Sequence, residues 1–157
     1  MATLQFCTFY LAGLLFGVEL KHVQEVLRSL KITPVPLAPK SICGLINLRG
    51  QIVPALDLCH RLHIDICFSE MRPMNVVVRT SEGLLSLLVD EVGDVVEVND
   101  DLLERLPLTV PAATNGLITG FYKLEQCLMH VLDIERVCEG LEPNRPTDQL
   151  SVEPVSQ

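Results

Sequence analysis

The chain has 157 residues, a formal net charge of −8 and 48% hydrophobic residues, yet only five Phe, two Tyr and no Trp. So acidic a chain is a poor match for nucleic acid or for an anionic membrane surface, both of which require clustered Lys and Arg. At this length one domain, or two small ones sharing a core, buries roughly two-thirds of the unfolded surface, and a core of Val, Leu and Ile suits β-strands.

The first residues show no basic n-region or cleavage-site pattern, so no signal peptide is expected. The longest apolar run, Phe9–Val18, falls well short of the ~20 residues a membrane helix needs. No membrane insertion is expected, and a cytoplasmic location follows. Leu4–Tyr10 and Gly13–Leu20 flank an Ala-Gly pair and predict a hairpin. Lys21–Leu30 carries Val23, Val26, Leu27 and Leu30 at helical spacing, which predicts a short helix. Pro34, Pro36 and Pro39 then force extended chain.

The stretch 44–58, GLINLRGQIVPALDL, predicts a second hairpin, with a short helical piece after Asp57. Strands follow at Asn75–Arg79 and Leu84–Val89, then a turn at Glu91–Val95 and a proline-marked loop. Further strands are expected around Gly116–Tyr122 and Cys127–Ile134. Residues 141–157, with three prolines and no periodicity, read as a disordered tail.

The chain also repeats itself. VELKHVQEV at 18–26 aligns with LLVDEVGDV at 87–95 at an offset of 69, Pro36 with Pro107 at 71, GLI at 44–46 with GLI at 116–118 at 72, and VPALDL at 53–58 with MHVLDI at 129–134 at 76. The offset climbs in chain order, as loop insertions in a duplicated unit would make it do. The copies run from about Leu4 to Cys67 and from Met74 to Cys138, within one domain spanning 1–140. Strand-rich units of that size predict an all-β fold with short helices, built as two small barrels.

Candidate chemistry is sparse. Cys59, His60, His63 and Cys67 supply a zinc-like ligand set, but Cys59 and His60 are adjacent and diverge, so buried thiols beside surface imidazoles are expected, and no metal. The six cysteines lack a C-x-x-C and read as reduced and mostly buried. No nucleophile elbow or phosphate loop occurs, so neither an enzyme nor a cofactor is expected. Asp57 and Asp133 match between the copies and are plausible N-caps. Gly50 has a local reason, the positive φ of a tight turn, whereas Arg49 has none. The second copy offers a longer loop at Thr119–Gln126 and no arginine there. Glu25, matched by Asp94, is the other candidate.

At these residues the sequence resembles the CheW-type chemotaxis adaptor family, over about 4–138. GLINLRGQIVPALDL is similar to the family's signature hairpin, KHVQEV to its receptor-facing segment, and LVDEVGDV and VLDI fall where the family has their like. The resemblance implies two pseudo-symmetric five-stranded SH3-like barrels. It also implies a non-enzymatic adaptor linking chemoreceptor cytoplasmic tips to a histidine kinase, whose related regulatory domain assembles with the adaptor in rings. Such an adaptor is cytoplasmic and recruited to receptor arrays at the inner membrane. By residue match, Val23, Glu25 and Arg49 serve receptor contact or its support, and Asn47 and Gly50 hold the hairpin; no kinase-binding residue is assigned. Glu25 and Arg49 are expected to pair beside a groove between the barrels. Where the family carries a basic residue after Asp57-Leu58 this chain has Cys59, so that contact is either shifted to Arg61 or absent. Two other readings remain: a CheW-like scaffold of another two-component pathway, such as surface motility or gene regulation, and a metal or thiol sensor at Cys59–Cys67.

Overall fold

Residues 2–28, 30–64, 74–105 and 116–139 are described by the computed structural model. They form ten strands: β1 (Thr3–Leu11), β2 (Leu14–Glu19), β3 (Val23–Arg28), β4 (Ile42–Leu48), β5 (Gln51–Asp57), β6 (Met74–Thr80), β7 (Gly83–Val89), β8 (Glu91–Asn99), β9 (Ile118–Lys123) and β10 (Leu128–Leu132). Two short helices, α1 (Leu58–Arg61) and α2 (Ile134–Cys138), follow β5 and β10. Each starts on the expected aspartate, with Asp57 Oδ1 accepting from His60 N and Asp133 Oδ1 from Arg136 N, both at 3.3 Å. Asp at this position satisfies a backbone donor that the helix cannot.

The strands make two five-stranded sheets, ordered β8-β1-β2-β10-β9 and β3-β6-β7-β5-β4. Each sheet therefore draws on both halves of the sequence. Hairpin β1–β2 joins β10 through a parallel pair, and hairpin β6–β7 joins β5 in the same way. The register repeats between sheets. Cys7 faces Val95 as Val76 faces Val26, an offset of 69, and Val53 faces Ile46 as Met129 faces Tyr122, an offset of 76.

The sheets do not close into full barrels. The chain after β3 makes one bridge to β4 on the opposite edge, Thr33 to Leu45, with both backbone bonds at 2.8 Å. The chain after β8 does the same with β9, Glu104 to Phe121, at 2.9 and 2.7 Å. This bridge corrects one step of the repeat. The structural counterpart of Gly44 is Gly120, in T-G-F-Y, and the GLI at 116–118 lies four residues out of register.

Three apolar clusters fill the molecule. Phe9, Phe16, Leu56, Val76, Leu87 and Val137 belong to the largest, which takes residues from both sheets. Ile46, Val53 and Val77 fill the interior of the second sheet, and Phe6, Tyr122 and Met129 that of the first. Many of these side chains are fully buried, at roughly 1.5–3 kcal/mol each for a large aliphatic or aromatic group.

Two predicted elements are overturned. Lys21–Leu30 is not a helix: Leu20–His22 make one 3-10 turn and Val23–Arg28 is strand β3, paired with β6. A register shift between Val23 and Glu25 marks a bulge at Gln24, yet exposure along β3 still alternates residue by residue; the helical-looking spacing arises because the exposed side carries apolar Val26 and the more buried side carries Glu25. Glu91–Val95 is likewise not a turn but the first half of β8, with its own register shift at Gly93. Glycine fits there because a Cβ would lie 2.7 Å from Thr8 Oγ1. The proline-marked loop and the tail lie outside the described residues.

Candidate docking site

The β4–β5 connection is a two-residue hairpin, Leu48 facing Gln51. Both turn residues have positive φ, 53° at Arg49 and 89° at Gly50. That is the backbone of a primed hairpin turn, which matches strand twist. Asn47 Oδ1 accepts from Gly50 N at 2.8 Å and fixes the turn from one side. Arg49 is the misfit: a left-handed backbone brings the Cβ of an L-residue against a carbonyl oxygen and costs roughly 1–2 kcal/mol.

The arginine side chain crosses the seam of the second sheet. Its Nη2 donates to Glu25 Oε2 on β3, forming the expected ion pair. The pair is lopsided, with the Arg49 side chain 66% exposed and that of Glu25 21%. An ion pair this open contributes about 0–1 kcal/mol, which does not outweigh the backbone cost. Arg49 is thus a poor choice for the turn on stability alone.

Neighbouring elements hold Glu25 in place. Val23, Glu25 and Leu27 share the more buried side of β3 by ordinary strand alternation, while Val26 on the other side is exposed. Val23 is half-buried and packs on the largest apolar cluster, as does Val92, its counterpart in β8. Arg79 on β6 donates to Lys21 O at 2.8 Å and lies 3.5 Å from Gln24 Oε1, bracing the chain just before Glu25. Nothing in the sequence around Arg79 signals that contact, since it depends on which strand lies beside β3. Beyond the turn, Ile52 is 58% exposed, adding apolar surface two residues after Gly50.

The second half does not reproduce this site. At the same offsets Asp94 stands for Glu25, and Glu125 and Gln126 stand for Arg49 and Gly50. Two acids cannot pair. The connection is also not longer, as the sequence had implied: Thr119–Lys123 is strand, and Leu124 N donates to Cys127 O at 2.8 Å across a turn of equal length.

Arg61 has a structural role of its own. Its guanidinium donates to the carbonyls of Arg136, Val137 and Glu139 at 2.8–2.9 Å and ties α1 to the end of α2. The cysteines are more mixed than expected. Cys7 and Cys59 are buried, while Cys43 and Cys127 are exposed. Burial pushes the Cys7 and Cys138 thiols above their ordinary range. Cys59 sits in the largest apolar cluster and His60 Nδ1 lies 3.1 Å from Ser41 Oγ. Cys67 is outside the described residues, among which no three potential ligands are grouped to hold a metal ion. No helix among them is long and apolar enough to cross a membrane.

A protein-family model for the CheW-like domain matches residues 5–142, and the chain belongs to that family. It is 30% identical over 131 residues to the chemotaxis protein CheW of Bacillus subtilis, across 83% of this chain and 84% of that one. It is 25% identical over 142 residues to the chemotaxis protein CheW of Treponema pallidum, across 88% and 84%. The crystal structure of scaffolding protein TtCheW from Thermoanaerobacter tengcongensis matches with a TM-score of 0.80 and 26% identity, over 90% of this chain and 97% of that one. The family is one of adaptors and scaffolds, not of enzymes.

Proposed function

We propose that this chain is a non-enzymatic adaptor that couples the cytoplasmic tips of chemoreceptors to a histidine kinase, working in the cytoplasm and recruited to receptor arrays. The observation that carries this reading is the Glu25–Arg49 pair. An arginine is kept in a backbone that disfavours it, at an exposed turn, and its partner is a carboxylate fixed on the bulged strand β3. A residue with so little to offer stability is well explained by contact with a partner. Val23, beside Glu25, brings the edge of the shared core to the same surface. Asn47 and Gly50 set the shape of the turn, and Arg49 reads the receptor.

A receptor tip built as a helical hairpin presents apolar stripes with charged flanks, which suits a surface where exposed Ile52 and half-buried Val23 accompany a fixed charge pair. Transmission to the kinase then requires those contacts to differ between two kinase states. The test is binding of the purified full chain to a receptor's cytoplasmic tip, wild type beside Arg49→Ala, with folding checked by circular dichroism. A folded variant at least about tenfold weaker, some 1.4 kcal/mol, supports the reading; equal binding by the two proteins removes Arg49 from it.

A further inference from the structure

The two sheets secure the start of their bulged edge strands in different ways. In the first sheet β8 follows β7 after the single residue Asp90. The ladder there runs on to Tyr10 facing Glu91, and Asp90 N donates to Tyr10 O at 3.0 Å. The bulge at Gly93 is pinned from the neighbouring strand, where the buried Thr8 hydroxyl donates to Asp94 O at 2.5 Å. Asp94 is the counterpart of Glu25, and Thr8 that of Val77, at the offset of 69.

The second sheet has neither fastening. Val77 has no hydroxyl to donate. Leu20–His22 form a 3-10 turn, and the ladder stops at Val23 facing Val78. His22 and Arg79, the counterparts of Glu91 and Tyr10, are not ladder partners. Arg79 supplies what is missing. Its guanidinium donates to Lys21 O at 2.8 Å and lies 3.5 Å from Gln24 Oε1, so one rigid fork spans both the turn and the bulge. Lys21 is the counterpart of Asp90, whose amide extends the ladder in the first sheet. Glu25 follows the bulge directly, so the backbone that Arg79 holds also sets where the Glu25 carboxylate meets Arg49.

We infer that Arg79 is a positioning residue of the docking site. By spanning the 3-10 turn and the bulge it fixes Glu25, and through Glu25 it fixes the Arg49 guanidinium, without itself touching the partner. The inference rests on the reading of Arg49 as the residue that the receptor contacts.

The test compares full-length wild type, Arg79→Ala, Arg49→Ala and the double variant, each shown to be folded by circular dichroism. Side-chain 15N relaxation of Arg49 reports, with no partner present, whether its guanidinium is held; Arg79→Ala is expected to set it free. Binding to a receptor's cytoplasmic tip is then measured as a double-mutant cycle. Arg79→Ala is expected to weaken binding at least about threefold, the scale of one hydrogen bond, and to have no further effect once Arg49 is alanine. A purely structural Arg79 would lower the urea midpoint and leave both readouts unchanged in the folded variant, which overturns the proposal. An equal loss in both backgrounds would mean that Arg79 contacts the partner directly, and overturns it too. If Arg49→Ala binds as wild type does, the receptor reading of Arg49 fails, and the relaxation measurement alone decides whether Arg79 positions the pair.

Discussion

Gly44 and Gly120 occupy the same place in the two sheets, and in each case the opposite edge of the sheet lies against the missing side chain. A Cβ on Gly44 would lie 2.3 Å from Thr33 O, and one on Gly120 would lie 2.4 Å from Glu104 O. These are the carbonyls of the two seam bridges. Glycine is what lets each curled sheet bring its edges together, a function of close backbone approach.

Gly44→Ala is therefore expected to open the seam of the second sheet and cost about 2–3 kcal/mol, in the range of overpacked sites. Gly50→Ala provides the contrast. Nothing lies within 4 Å of its Cβ position, so only its φ of 89° resists, at about 1 kcal/mol. Urea denaturation of both variants checks the ranking. If Gly44→Ala were no more costly than Gly50→Ala, the bridge would not depend on close approach.

The thiols divide by burial. Cys43 and Cys127 are exposed and are expected to alkylate first with iodoacetamide, with Cys7 and Cys138 lagging. Cys7 also makes stability depend on pH. Its folded pKa is raised above the ordinary 9.0, so below that value the thiol is neutral in both states and its contribution is intact. As pH rises from there towards the folded value, the unfolded chain releases the proton first and stability falls. Cys7→Ala should flatten the stability curve above that point; an unchanged slope in chemical denaturation would contradict this.

The sequence revealed the hairpins and both aspartate caps, because each rests on local chemistry. It misread β3, where an apolar Val26 on the exposed side and Glu25 on the more buried side hide a regular period of two, and the start of β8, where a bulge at Gly93 breaks that period. A bulge is stabilised by the neighbouring strand, and the sequence does not say which strand that is. The exchange of hairpins between sheets was hidden for the same reason, since the parallel pairs β2–β10 and β5–β7 join residues far apart in the chain. The ion pair could be anticipated from opposite charges in one copy, but the bracing by Arg79 could not.

Arg61 offers a control for the site. Its three bonds to carbonyls at the end of α2 are charge-assisted, one of them part-buried and two exposed, so Arg61→Ala should destabilise the fold by about 1–2 kcal/mol. Below the unfolding transition the same variant should bind a receptor tip as the wild type does. Reduced binding by a fully folded Arg61→Ala protein would mean that the basic contact after Asp57-Leu58 has shifted to Arg61 after all.

Arg49→Asn separates stability from recognition. Asparagine tolerates the left-handed backbone of a primed turn far better than arginine does. It forfeits only an exposed ion pair, so the variant should be as stable as wild type or more stable by up to about 1 kcal/mol. Receptor binding should nevertheless fall at least about tenfold. Swapping the charges, Glu25→Arg with Arg49→Glu, tests whether the pair or the arginine itself is read. Restored binding would mean that the partner responds to the geometry the pair imposes. Continued loss would mean that it contacts the guanidinium directly, which is the expected result because Arg49 is the exposed member of the pair. A variant both more stable and fully competent in binding would leave the arginine without a role.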